Sequence, residues 1–261
     1  MPRPTLDEAT SIAKSGQYKV IPISAEILSD IKTPLECLRI LKNVSRHCFM
    51  LESVEDTKKW GRYTFLGFDP KLELTCRAGK MTINSATKTQ LETTDPQQHI
   101  RQILDEYKSP RLDYLPPFAG GLVGYFSYDY VKYGEPTLNL DAQDAENFND
   151  VDLMLFDKVI AFDNFTQKII VMVNIKTENL ETEYNKGVME LNSLINLIKT
   201  GAPAPCQPSR IKSDFKMLLN ETQFCQMVEK AKEHIKEGDI FQVVLSNRLE
   251  ADFEGSLLDT Y

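Results

Sequence analysis

Apolar positions recur along this chain in two rhythms, one close to a helical repeat and one of period two. Leu35, Leu38, Leu41 and Val44 follow every third residue after Thr33-Pro34-Leu35-Glu36. That opening predicts a helix with Thr33 as N-cap, Pro34 at the first helical position and Glu36 closing a capping box. Leu72, Leu74 and Cys76 instead alternate with polar residues, and Ala78-Gly79-Lys80 turns the chain into Met81-Thr82-Ile83. That pattern predicts a half-buried strand and its partner. Strands are also predicted at Cys48 to Ser53, Tyr63 to Phe68 and Phe118 to Tyr130. A hairpin of Val151 to Asp163 with Lys168 to Ile175 closes around Asp163-Asn164-Phe165-Thr166. Asp95-Pro96 opens a second helix that carries Ile100, Ile103, Leu104 and Tyr107 on one face, and a long polar helix is predicted over Glu178 to Lys199.

Punctuation divides this run. Gly201 to Pro208 holds three prolines in Gly-Ala-Pro-Ala-Pro-Cys-Gln-Pro, the composition of a linker. Beyond it Asn220 caps a helix with Gln223 at the third position, and Phe224, Met227, Val228, Ala231 and Ile235 are expected to face inward. Gly238 suits the left-handed position just past a helix end. A strand from Ile240 to Leu249 and the start of another helix at Ser256-Leu257-Leu258-Asp259 are then predicted, and Tyr261 falls within that helix's first turn. The expected class is α+β, with packed antiparallel sheets, helices outside, and a C-terminal truncation at Tyr261. The expected divisions are 18–176, a helix and linker over 177–213, and the start of a second domain over 214–261. Consecutive strands without alternating helices argue against a parallel βαβ sheet.

Composition narrows the functions. Of 261 residues, 42% are hydrophobic and 26% charged, as in a globular protein able to bury a core. The net charge of −8 and the lack of a dense basic run exclude nucleic acid and an anionic membrane surface as expected partners. No apolar run approaches the length of a membrane span. Cys37, Cys48, Cys76, Cys206 and Cys225 form no CxxC pair, a usage that suits a reducing cytoplasm. His47, His99 and His234 share no metal-ligand spacing with a cysteine, so no metal site is predicted in this chain.

Four segments could carry chemistry. Gly120-Gly121-Leu122-Val123-Gly124 has neither a Walker lysine nor a following helix. It reads as glycines that let another backbone or ring pack closely, not as a phosphate loop. Leu51-Glu52-Ser53 ends an apolar strand, where Glu52 and Ser53 could meet the ammonium and carboxylate of a small ligand or simply face water. In Gly61-Arg62-Tyr63-Thr64-Phe65-Leu66-Gly67, Arg62 could hold a carboxylate bidentately or pair with an acid of the protein. On the predicted strand Asp239 to Arg248, Gln242, Ser246 and Arg248 share one side, where they could line a polar pocket or form a solvated face.

Taken in order and spacing, Leu51-Glu52-Ser53, Gly61 to Gly67, Gly120 to Tyr125 and Gly238 to Ser246 resemble the large subunit of anthranilate synthase, over about its N-terminal half. The resemblance implies conversion of chorismate and ammonia to anthranilate and pyruvate, the first committed step of tryptophan synthesis. It further implies Mg²⁺ held by two glutamates that would lie beyond Tyr261, a glutamine amidotransferase small subunit as ammonia source, and L-tryptophan as feedback inhibitor. On that basis 18–176 is the regulatory domain, and 214–261 begins the chorismate-binding catalytic domain. Leu51, Glu52 and Ser53 match the tryptophan-binding segment, and Gln242 matches a position on the active-site strand. Related isochorismate synthases carry a lysine there as a base for water; a glutamine cannot act as that base. The segment Asn-Pro-Ser-Pro-Tyr-Met, the catalytic histidine and the chorismate-holding arginine and tyrosine have no counterpart here, so the chain alone is expected to make no anthranilate. The nearest alternatives are the large subunit of aminodeoxychorismate synthase and a non-catalytic tryptophan-sensing module.

Overall fold

In the computed structural model, residues 2–53, 61–135, 137, 138, 140, 144 and 146–261 are described. The chain divides into two compact units, Met1–Ala204 and Pro205–Tyr261. The division falls inside the proline-rich stretch.

Unit 1 is built on two five-stranded sheets in which every ladder is antiparallel. In the first sheet the order is β1 (Val20–Leu28), β10 (Lys168–Lys176), β9 (Lys158–Asp163), β3 (Tyr63–Phe68) and β2 (Cys48–Leu51). In the second it is β6 (Lys88–Glu92), β5 (Lys80–Asn84), β4 (Leu72–Arg77), β8 (Val151–Phe156) and β7 (Gly121–Phe126). The long hairpin arm expected over Val151 to Asp163 is therefore two strands. The chain leaves the second sheet after Phe156 and joins the first at Lys158. At the crossing, the Asp157 carbonyl accepts hydrogen bonds from the Asn174 amide (2.8 Å) and from Asn174 Nδ2 (3.0 Å).

Helices cover these sheets. In α2 (Pro34–Leu41), Thr33 accepts a hydrogen bond from the Glu36 amide, but the Glu36 carboxylate pairs with Lys32 (2.5 Å). The expected stripe is shifted: Cys37, Leu38, Ile40 and Leu41 are buried, whereas Val44 lies past the helix end and is 52% exposed. In α3 (Pro96–Glu106), Ile100 and Ile103 enter the core of the second sheet beside Leu74, Leu153 and Leu155, while Leu104 faces out. The long helix α4 (Leu180–Thr200) lies along β10 and β1 and buries Leu191, Leu194 and Ile198. α1 (Leu6–Ala13) lies outside the elements expected from the sequence, although Thr5 and Glu8 form a reciprocal capping box there. So do β1 and β6. The strand expected over Phe118 to Tyr130 pairs only across Gly121–Phe126, then turns into a 3-10 helix at Tyr128–Tyr133.

Unit 2 contains α5 (Glu221–Glu237) and four two-residue strands, β11 (Arg210–Ile211), β12 (Lys216–Met217), β13 (Leu249–Glu250) and β14 (Phe253–Glu254). Asn220 and Gln223 cap α5 reciprocally, and Gly238 ends it at φ 84°. The inward face predicted for this helix is at most half-buried, with Met227 37% and Ile235 44% exposed. The strand predicted over Ile240 to Leu249 is corrected as well. Only Leu249 enters a ladder, β12 with β13. The Asn247 side chain takes the place of a ladder rung: its Oδ1 accepts from the Leu219 amide (2.9 Å), and its Nδ2 donates to the Leu219 carbonyl (2.8 Å). Ser256 accepts from the Leu258 amide and opens a single 3-10 turn, not an α-helix.

Candidate functional site

The β2 end of the first sheet has an aromatic floor. Phe49 lies across β3 at Gly67, where a Cβ would stand 2.1 Å from its ring, so only glycine admits that ring. Phe49 meets Phe156 edge-on at 4.7 Å between centroids and Phe118 at 6.3 Å. Phe65 meets Phe118 at 5.7 Å. Of these rings, Phe65 and Phe118 pack against a core of Val159, Ala161, Ile170 and Met172. Leu51 is paired with Phe65 and is half exposed. β2 ends at Leu51, so Glu52 and Ser53 lie just past its ladder. Ser53 is half-buried and Glu52 exposed. An aromatic floor with a hydroxyl two residues past the strand end is chemistry suited to a small aromatic ligand with polar ends. The neighbouring Val54-Glu55-Asp56 lies outside the described residues.

Arg62 is committed within the protein. Its Nη2 lies 2.7 Å from Asp163 Oδ2 and its Nε 3.2 Å from Oδ1, while the guanidinium lies over the Tyr63 and Phe165 rings. Of the two roles open to it, pairing with an acid of the chain is the one seen. The glycine motif serves packing, as read from the sequence: a Cβ on Gly124, at φ 156°, would stand 1.9 Å from the Asp152 carbonyl. On Gly120 it would stand 2.5 Å from Asn174 Nδ2.

Gln242 lies in unit 2, apart in the chain from Leu51, Glu52 and Ser53. It is exposed on a segment that enters no ladder, as is Ser246. Arg248 pairs with Glu250 at 2.6 Å. The side chains predicted to share a strand face are therefore not organised by a sheet among the described residues.

For a metal, the described residues offer one cluster, His234, Glu237 and Asp239, all at the end of α5, with His234 Nδ1 2.8 Å from Asp239 Oδ2. An imidazole in this set does not suit Mg²⁺, which takes oxygen ligands in strict octahedral geometry. These residues do not fit that ion.

Two charged networks escaped the sequence reading. Asp150 accepts from Lys132 Nζ (2.6 Å), Tyr133 Oη (2.8 Å) and the Ala78 amide (2.8 Å). Burial pushes its carboxyl up, but these donors overcome that and hold it below the usual carboxylate range. Lys158, only 4% exposed, lies 2.8 Å from Asp69, 3.4 Å from Glu190 and 3.8 Å from Asp157. The one legible signal was Asp157-Lys158, a charged pair inside the apolar run from Val151 to Phe162.

Two antiparallel sheets with helices outside, a glycine-rich strand and an aromatic-floored edge define an α+β fold. The family described as chorismate binding enzyme matches residues 46–261, and the chain belongs to it. Within that family it is similar to anthranilate synthase component 1. The protein of that name from Acinetobacter calcoaceticus is 35% identical over 255 residues, covering 95% of this chain and 50% of the relative. That from Aquifex aeolicus is 34% identical over 257 residues, covering 97% and 51%. The crystal structure of anthranilate synthase component I from Streptococcus pneumoniae matches with a TM-score of 0.63 at 25% identity, over 89% of this chain and 50% of that one. The chain thus spans about half the length of the relatives it matches.

Proposed function

We propose that these residues are the N-terminal part of an anthranilate synthase large subunit. The observation that carries this reading is the 35% identity to anthranilate synthase component 1 across 95% of the chain. In the whole subunit, ammonia adds to the chorismate ring, the ring hydroxyl leaves as water, and pyruvate is eliminated to give anthranilate. A glutamine amidotransferase small subunit supplies the ammonia, and the enzyme works in the cytoplasm. Gln242 lies on the active-site segment, where its amide cannot deprotonate water, in keeping with ammonia as the nucleophile. Mg²⁺ is held by carboxylates outside this chain. Leu51, Glu52 and Ser53 bind L-tryptophan, with the indole on the aromatic floor and the Ser53 hydroxyl bonded to a polar end.

The reading is tested by comparing the 261-residue chain with a polypeptide continued to the length of its relatives. With chorismate, ammonium and Mg²⁺, the longer protein is expected to develop anthranilate fluorescence and the shorter one none. Ser53→Ala should weaken tryptophan inhibition of the longer protein about tenfold, the worth of one ligand hydrogen bond. Aminodeoxychorismate as the product would overturn the assignment, as would an unchanged tryptophan concentration for half-inhibition of the Ser53→Ala protein.

A further inference from the structure

A second cleft in unit 1 shares no residue with the β2 edge. It has a volume of about 450 Å³ and lies where α4 faces the ends of β10 and β1, with Lys71, Ser85 and Tyr107 on the other side. Its wall includes Asp157, whose side chain is only 9% exposed. Asp157 Oδ2 lies 3.3 Å from Lys71 Nζ. Its Oδ1 has no hydrogen-bond partner, and the buried Lys158 ammonium stands 3.8 Å away, beyond bonding distance and engaged with Asp69 and Glu190. A buried carboxylate left one donor short is costly, and a ligand that brings an N–H recovers that cost. Burial also pushes the Asp157 carboxyl above the usual range despite the lysines beside it.

The lining charges are balanced, with Lys71, Lys176 and Lys186 against Asp157, Glu183 and Glu190. A simple anion would meet the three carboxylates, and a simple cation the three ammonium groups. A ligand carrying both charges meets each with its opposite. The rest of the wall combines the polar Ser85 and Asn174 with the apolar Val20, Val173, Ile175 and Tyr107 ring, against which a short side chain could lie. We propose that this cleft binds a free α-amino acid, its ammonium on Asp157 and its carboxylate on Lys71 and Lys186. The site is independent of the tryptophan segment assigned above.

The test uses the full 261-residue chain and thermal unfolding in the presence of each of the twenty L-amino acids at millimolar concentration. At least one should raise the midpoint saturably, while its N-acetyl and amide derivatives should not. Isothermal titration with that amino acid should show affinity reduced more than tenfold by Asp157→Asn and unchanged by Ser53→Ala. Should Asp157→Asn not fold, Lys186→Met, on the exposed side of α4, is expected to weaken binding at least fivefold. The proposal is overturned if no amino acid shifts the midpoint or if the N-acetyl derivative binds equally. It is equally overturned if Ser53→Ala abolishes binding while Lys186→Met leaves it intact.

Discussion

Asp163 closes the β9–β10 hairpin and is 3% exposed. Burial alone would raise its carboxyl. Hydrogen bonds from the Arg62 guanidinium, with those from the Thr166 amide (3.1 Å) and the Phe165 amide (3.0 Å), instead bring it down to about 2. The folded-state value lies below the unfolded one of 3.8, so the unfolded chain binds more protons between these two points. The stabilisation is complete above about pH 4 and disappears as the pH falls through about 2, and it amounts to about 2 kcal/mol at neutral pH. Asp163→Asn should therefore unfold at lower denaturant concentration at pH 7 and show a flatter loss of stability between pH 4 and 2. Parallel unfolding curves for the two proteins across that range would refute the assignment. Arg62 belongs to this anchor, so a ligand at the β2 edge has to be recognised by other groups.

At the scale of elements, the passage from β8 to β9 organises unit 1, because one run of chain serves both sheets. Lys158 begins β9 in a setting where both neighbouring strands are apolar, and its ammonium faces Asp69, Glu190 and Asp157. Removing the cation leaves the buried Asp157 with Lys71 alone. Lys158→Met should cost about 3 kcal/mol, and adding Asp157→Leu should return much of that loss, since an apolar pair of similar volume often replaces a buried ion pair without penalty. Additive destabilisation in the double variant would rule this account out. The same crossing shows what was legible in the sequence. Turn residues located β5 and the β9–β10 turn, and alternation located β4, one face of which lies in a core. It could not cut Val151 to Asp163 in two, since β9 is buried on both faces and carries no alternation. It placed a strand at Ile240 because the residues are β-branched and apolar, but a strand also needs a partner edge, which that segment lacks among the described residues. At the β2 edge, the sequence picked out Leu51 to Ser53 but not the floor beside them. Phe49 and Gly67 are eighteen residues apart, and only the β2–β3 register brings them together.

The two units differ in how they are held. Unit 1 contains every residue classed as buried, whereas none of the described residues from Pro205 to Tyr261 is buried. In unit 2, Phe241 is fully exposed, Val244 82% and Met217 64%. Apolar surface left in water contributes none of the roughly 25 cal/mol per Å² that burial supplies. The reciprocal cap at Asn220 and the glycine stop at Gly238 favour α5 locally, but seventeen residues are near the lower limit for an isolated helix in water. Hydrogen exchange should therefore separate the units in the intact chain. Amides of β9 and β10 should be the last to exchange, close to the global unfolding free energy, and those of α5 should exchange orders of magnitude faster. In a polypeptide continued to the length of its relatives, protection of α5 should rise toward that of the sheets only if the added residues bury its apolar side chains. Equal protection of α5 and β10 in the 261-residue chain would show that unit 2 is stable by itself.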